Sequence, residues 1–334
     1  MKKIYILATG GTIAGSAKKS QDSLNFGSYT SGEKQISQLL EEIPSLGKLA
    51  QISAEQFVNI GSQDMTSEIC LNLARRVDEI LREFDGVVIT HGTDTMEESA
   101  YFLNLMINSD KPVILTGAMR NSDSLSSDGT LNLYNAIAVA TNENARKMGV
   151  MVVINDEIYS ARDVSKTNTN LLNTFMSPNS GKIGVAHYGE VKFYAKSLRA
   201  HTYKTPFCAD KISSNLLDKF ARVEIIFVHQ DIDGAVVRDA IRRGAKGLVI
   251  ATFGNGNVGS ALQDELKFAL ENGVAIVLSS RTGSGVVSAD ESENTLANFI
   301  LADNLNPQKA RILLLISLLH GLNLAQIADA FKTY

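Results

Sequence analysis

Cysteine is almost missing. The 334 residues hold two, Cys70 and Cys208, far apart and without partner spacing, so neither argues for metal or redox chemistry. Cys70 falls on the apolar stripe Ile69, Leu73, Val77, Ile80, Phe84, where a buried free thiol is expected. Histidine is scarce too: His91, His187, His201, His229 and His320 stand singly, with no HxxxH or CxxC pair to suggest a metal site. An excess of one charge is lacking. Lys+Arg 32 against Asp+Glu 36 leaves a net charge of −4, and no basic block stands out to neutralise phosphates. Nucleic acid and anionic membrane surfaces are therefore poor partners. Long hydrophobic runs are absent as well. The longest, Ile312 to Leu319, is far too short to span a bilayer. At the start, Lys2 and Lys3 precede only Ile4 to Ala8, shorter than the apolar core of an export signal. A cytoplasmic location is the expectation for the chain as given, or a periplasmic one if a signal has been removed.

What is present is the composition of a soluble globular protein, 44% hydrophobic and 20% charged, with length for one large domain or two medium ones. Strands alternate with helical patterns. KIYILA (3–8), DGVVIT (85–90), PVILTG (112–117) and GVMVVIND (149–156) read as strands, with helical periodicity over 66–84, 94–107 and 129–146. This rhythm predicts βαβ units, with a parallel sheet covered by helices on both faces. Between about Gly189 and Leu217 it fades through HTYKTPF, a linker candidate. It restarts with VEIIFVH (223–229), KGLVIATF (246–253) and VAIVLSS (274–280), interleaved with helices at 234–243 and 260–272 and closed by two more at 306–320 and 324–332. The expected organisation is a larger N-terminal α/β domain with a mainly parallel sheet (1–196), a linker (197–218) and a smaller parallel α/β domain (219–334).

Ligands in open parallel sheets collect at the carboxyl ends of the strands. There KIYILA runs into TGGTIAG, DGVVIT into HGTDT, and PVILTG into AMRNSDSLSSDG. Two of these loops place Gly directly before Thr: Gly11-Thr12 and Gly92-Thr93. Glycine allows a sharp turn and leaves backbone N–H groups free, while threonine offers a hydroxyl to the same crevice. Two hydroxyls, the Asp94 carboxylate and free backbone donors make up the parts for attack on a carbonyl. The bland reading of VVITHGTDTMEES is a strand end and a helix N-cap, for which Thr and Asp are ordinary. TGGTIAG fits neither GxGxxG nor GxxxxGK[ST], and no GxSxG elbow exists. A threonine nucleophile without histidine needs a lysine or tyrosine base. Lys166, in ARDVSKTNTN, is the lysine to examine, its bland alternative being a solvated loop residue.

These segments resemble the homotetrameric bacterial asparaginase/glutaminase family, along nearly the whole chain: LATGGTIAG (7–15), NIGSQDM (59–65), ITHGTDTMEESAYFLNL (89–105), GAMR (117–120), NLYNA (132–136), KTNT (166–169), GNGN (254–257) and LNPQKAR (305–311). NIGSQDM is similar to the type II L-asparaginase branch. The resemblance implies hydrolysis of L-asparagine without a cofactor or metal. By it, Thr12 is the primary nucleophile and Tyr29, in SYTSG, helps activate it. Thr93, Asp94 and Lys166 form a second cluster that moves protons. Ser62 and Gln63 hold the substrate α-carboxylate and α-amino group, with Asp94 also on the amino group. Asn257 and Glu291 reach the site from a neighbouring subunit of a dimer of dimers.

The chain departs from the family pattern in four places. The stretch between Thr12 and Tyr29 is longer than in many relatives. Asn121 and Thr130 stand where proline is usual, which frees a backbone φ constraint and is expected to loosen that loop. In SADESEN the glutamate aligns at Glu291, one position off, or at Glu293. Two alternatives to an asparaginase remain open: a broad glutaminase-asparaginase, against which Gln63 leans mildly, and a non-catalytic amino-acid-binding or nucleotide-binding module on the same sheets.

Overall fold

The computed structural model describes residues 1–17, 29–30, 34–212, 221–288 and 299–334. Contacts divide the chain into two units, Met1–Ala209 and Asp210–Tyr334.

The first unit is built on an eight-stranded sheet in the order β12-β11-β8-β7-β6-β5-β1-β4. Its parallel part comprises β1 (Lys3–Gly10), β4 (Gln51–Ile60), β5 (Gly86–Thr90), β6 (Val113–Thr116) and β7 (Val150–Ile154). Alternation sorts β1 between two layers. Ile4, Ile6 and Ala8 join a core with Val88, Ile114, α1 (Ile36–Glu41) and α4 (Gly129–Thr141). On the opposite face Leu7, Val87 and Ile89 are fully buried, and α2 (Ser67–Ile80) and α3 (Met96–Met106) supply the helical layer. Cys70 lies in α2 as a buried thiol, Sγ 3.7 Å from Ser99 Oγ, and burial pushes its pKa up to about 11.

The sheet continues in a way the strand-helix rhythm did not foretell. Strands β8 (Glu157–Ser160), β11 (Gly184–His187) and β12 (Glu190–Phe193) add on antiparallel. Asn155 and Asp156, both at positive φ (52° and 62°), make the two-residue turn between β7 and β8. Tyr188 and Gly189 do the same between β11 and β12. Such turns match the strand twist and favour Asn, Asp and Gly. Two short ladders complete the unit: β2 (Ser16–Ala17) with β3 (Tyr29–Thr30), and β9 (Ser165–Lys166) with β10 (Phe175–Met176).

Part of the stretch read as a linker is docked on this unit. His201, Thr202 and Phe207 are buried, and the Thr205 hydroxyl donates to Leu105 O at 2.7 Å. The division at Ala209 therefore follows a packed segment.

The second unit carries a four-stranded parallel sheet, β13 (Arg222–Phe227), β14 (Ala245–Thr252), β15 (Ala275–Ser280) and β16 (Ile300–Leu301). On one face Leu248, Ile250, Ile276 and Leu278 pack with Val237, Leu262 and Leu266 from helices Ala235–Arg242 and Ser260–Glu271. Helix Pro307–Leu319 packs on β14 so closely that a Cβ on Gly247 would meet Leu314 at 2.7 Å. The apolar run Ile312 to Leu319 belongs to this buried helix. Among the described residues no helix is long and apolar enough to cross a membrane.

Candidate functional site

The carboxyl ends of β1, β4 and β5 converge. Strand β1 ends in Gly10 and Gly11, at φ 99° and 81°, conformations that L side chains rarely adopt. Gly11 N–H donates to Ile60 O at 3.1 Å, which ties the β1 loop to the end of β4. Close approach adds a second reason for glycine. A Cβ on Gly11 would lie 2.4 Å from Gly92 Cα, and one on Gly92 would lie 2.7 Å from Ser62 Oγ. The two Gly-Thr loops thus meet backbone to backbone, with Ser62 against their junction. Thr12 follows at once, half-buried, opening the turn Thr12–Ala14.

Strand β5 delivers the second cluster. Thr93 is 6% exposed, and Lys166 Nζ donates to its Oγ1 at 3.0 Å and to Asp94 Oδ1 at 2.6 Å. The lysine is no free loop residue. It is paired with Phe175 across the β9–β10 ladder, Phe175 is buried, and Thr167 N–H donates to Thr174 O at 2.7 Å. Only 16% of the lysine side chain is exposed, whereas the Asp94 side chain is 63% exposed. Asp94 therefore faces outward from a buried Thr93 and a partly buried Lys166.

Ser62 opens the turn Ser62–Asp64 just after β4, the edge strand that periodicity missed because its residues are half-exposed on both faces. Its Oγ accepts from Asp94 N–H at 3.1 Å, and its carbonyl accepts from Thr95 Oγ1 at 2.6 Å. Gln63 is exposed, and its side-chain amide folds back over Gly61, where a Cβ would lie 2.4 Å from Gln63 Nε2.

The loop after β6 is tied by Asp128, whose carboxylate accepts from Met119 N–H (3.0 Å), Arg120 N–H (2.9 Å) and Asn132 Nδ2 (3.0 Å). Asn121 is buried and its Oδ1 accepts from Asp123 N–H at 3.1 Å. This closes a side-chain turn at the position where the family resemblance leads proline to be expected. Thr130 is exposed in the first turn of α4.

The remaining expected residues divide. The ladder places the backbone of Tyr29 opposite Ala17, just beyond the Thr12 turn. Asn257 is exposed in the second unit, in a turn after β14 closed by Phe253 N–H donating to Asn257 O at 3.2 Å. Glu291 and Glu293, like most of the stretch between Thr12 and Tyr29, lie outside the described residues.

Two residues of the cluster were given no role from the sequence although both stand in the HGTDT motif. One is Thr95, through its bond to Ser62. The other is His91, fully buried, whose Nδ1 lies 2.7 Å from Gly92 O and whose pKa desolvation lowers to about 4. Among the described residues no group of three or more His, Cys, Asp or Glu is placed to hold a metal ion.

Fold and site together define a class: a two-unit α/β protein in which paired Gly-Thr loops meet at the carboxyl end of a parallel sheet beside a Thr–Lys–Asp cluster. Comparison with known proteins identifies the family. The family model described as Asparaginase, N-terminal matches residues 3–199, and that described as Glutaminase/Asparaginase C-terminal domain matches 222–331. A Haemophilus influenzae protein named Probable L-asparaginase periplasmic is 43% identical over 95% of this chain and 89% of its own length. L-asparaginase 2 of Escherichia coli is 41% identical over 100% of this chain and 94% of its own. The crystal structure of Probable Cytoplasmic L-asparaginase from Campylobacter jejuni superposes with a TM-score of 0.94 at 42% identity, covering 100% of both chains. The chain belongs to the asparaginase family.

Proposed function

We propose that the protein is an L-asparaginase that hydrolyses the side-chain amide of L-asparagine to L-aspartate and ammonia. The observation that carries the reading is the meeting of the Gly11-Thr12 and Gly92-Thr93 loops with Lys166 held on Thr93. Thr12 Oγ attacks the amide carbon, and Tyr29 assists in removing its proton. The carbonyl oxygen becomes an oxyanion stabilised by backbone N–H donors around Thr93. Collapse expels the amine, which takes up a proton and leaves as ammonia, forming a β-aspartyl ester on Thr12. Water, deprotonated through the Thr93–Lys166 pair, then attacks the ester and releases aspartate. Ser62 and Gln63 hold the α-carboxylate and α-amino group, and the exposed Asp94 carboxylate takes the amino group. Asn257 and Glu291 complete the site from a neighbouring copy in a homotetramer.

Ammonia release from L-asparagine by the purified protein tests the reaction, and Thr12→Ala tests the nucleophile. Retention of more than about a tenth of wild-type activity, under ~1.4 kcal/mol of barrier, would sink that assignment. Faster turnover of L-glutamine than of L-asparagine would mean a glutaminase-asparaginase. No ammonia from either substrate would favour a binding module.

A further inference from the structure

We propose that His91 is a positioning residue: it grips the Gly92 carbonyl and so sets the direction of the Thr93 N–H that stabilises the oxyanion. The proposal rests on the hydrolase reading and assigns a part to a residue that the proposed reaction does not use.

The tautomer follows from the contact. His91 Nδ1 lies 2.7 Å from Gly92 O, and a carbonyl oxygen can only accept, so Nδ1 carries the proton. Nε2 is then a bare lone pair. It is buried and, among the described residues, has no hydrogen-bond partner, and the residue as a whole is 0% exposed. An unsatisfied buried acceptor is costly, and an apolar side chain of similar size would fill the space without that cost. Burial also keeps the ring uncharged, with a pKa of about 4, so it serves as a fixed neutral donor.

What the donor holds is a single peptide unit. In a trans peptide the C=O and N–H point in opposite directions. Fixing Gly92 O toward the buried ring therefore aims Thr93 N–H the other way. The Gly92 Cα from which that unit starts is itself packed closely, since there is no room for a Cβ between Gly11 and Gly92 or between Gly92 and Ser62. His91 is itself anchored, with its N–H donating to Thr116 O at 2.8 Å on β6. Without the imidazole donor the Gly92 carbonyl loses this hydrogen bond, and glycine restricts its own peptide plane less than any other residue. An oxyanion donor contributes most in the transition state, so its misalignment lowers kcat and leaves ground-state binding in place.

The test compares His91→Asn, His91→Gln and His91→Leu. The Asn amide nitrogen stands close to where Nδ1 was and can donate to Gly92 O. The Gln amide reaches further, toward the Nε2 position, and Leu donates nothing. His91→Asn should keep kcat within about threefold of wild type, whereas His91→Gln and His91→Leu lose roughly 10- to 100-fold, with KM and the Kd of aspartate within about twofold. A folded Gln or Leu variant with wild-type kcat overturns the proposal. So does an Asn variant as slow as the Gln variant, or a loss that lies wholly in KM. Should neither Gln nor Leu variants fold, 1H–15N spectra of the wild-type imidazole at pH 7 decide. A proton on Nδ1 supports the arrangement, and a proton on Nε2 overturns it. That measurement needs no turnover, so it stands apart from failure of the hydrolase reading, which would show as no ammonia from either amide in the wild-type protein.

Discussion

At the scale of the residue, Lys166 and His91 have opposite surroundings and so respond to different tests. Lys166 touches a hydroxyl and a carboxylate at once. If it served only as a positive charge, arginine would replace it. If it moves the Thr93 proton, arginine cannot, because a guanidinium does not give up its proton in proteins. Lys166→Arg is expected to fold and bind aspartate but to lose at least ~100-fold in kcat, the range of acid–base catalysis. Steady-state kinetics with an aspartate titration check this, and near-normal kcat would leave Lys166 as an electrostatic anchor. Burial of His91 makes stability depend on pH. Unfolded, an imidazole takes a proton below about pH 6.5; folded, this one does so only near 4. Between those values the unfolded state binds more protons, so stability falls as pH falls. The window is worth on the order of 3 kcal/mol. Burial lowers the pKa of His201 too, so it contributes in the same direction. Urea unfolding from pH 7 to 4 should therefore show a shallower loss in His91→Asn than in wild type, and parallel curves would refute the assignment.

At the scale of the element, the strand-end loops depend on missing side chains. Gly11→Ala puts a Cβ 2.4 Å from Gly92 Cα, and does so at φ 81°. Backbone meets backbone there, so no flexible side chain can yield. A loss of roughly 2 kcal/mol or more is expected from strain at such a position, with activity falling alongside. Denaturant midpoints and ammonia release measure both, and an unchanged midpoint would mean that the loops separate freely. The elements themselves were unevenly legible. Parallel strands buried on both faces, such as Gly86–Thr90, announce themselves as apolar runs. Edge strand β4 does not, because half-exposed positions carry Gln, Ser, Glu and Asn. Asn155-Asp156 did carry a hairpin signal, and reading it would have revealed the antiparallel edge.

At the scale of the whole molecule, Asn257 belongs to the second unit while the threonine loops belong to the first. The shared-site reading makes assembly a requirement for turnover. Thr12→Ala chains and Glu291→Ala chains, each inactive as homo-oligomers, are expected to regain activity when mixed and exchanged. Each hybrid interface can then join an intact Thr12 to an intact Glu291. Sedimentation verifies exchange, and no recovered turnover, or an active monomer at high dilution, would count against a site completed by a second chain.

The sequence by itself determined the α/β architecture, the two Gly-Thr loops and the family, because these are written in local pattern: buried apolar runs, glycine where the chain must turn, and motifs spaced along nearly the full chain. The tertiary structure decided what those patterns do to one another. Periodicity cannot say that Gly11 and Gly92 touch, since it is the parallel pairing of β1 with β5 that brings them together. Nor can it say that Lys166 is held on Thr93 instead of being solvated. It gave His91 no role, because a histidine beside a glycine is unremarkable until the fold removes its water and leaves the Gly92 carbonyl within reach. Contacts between residues distant in the chain depend on strand order and burial, and those are properties of the packed sheet.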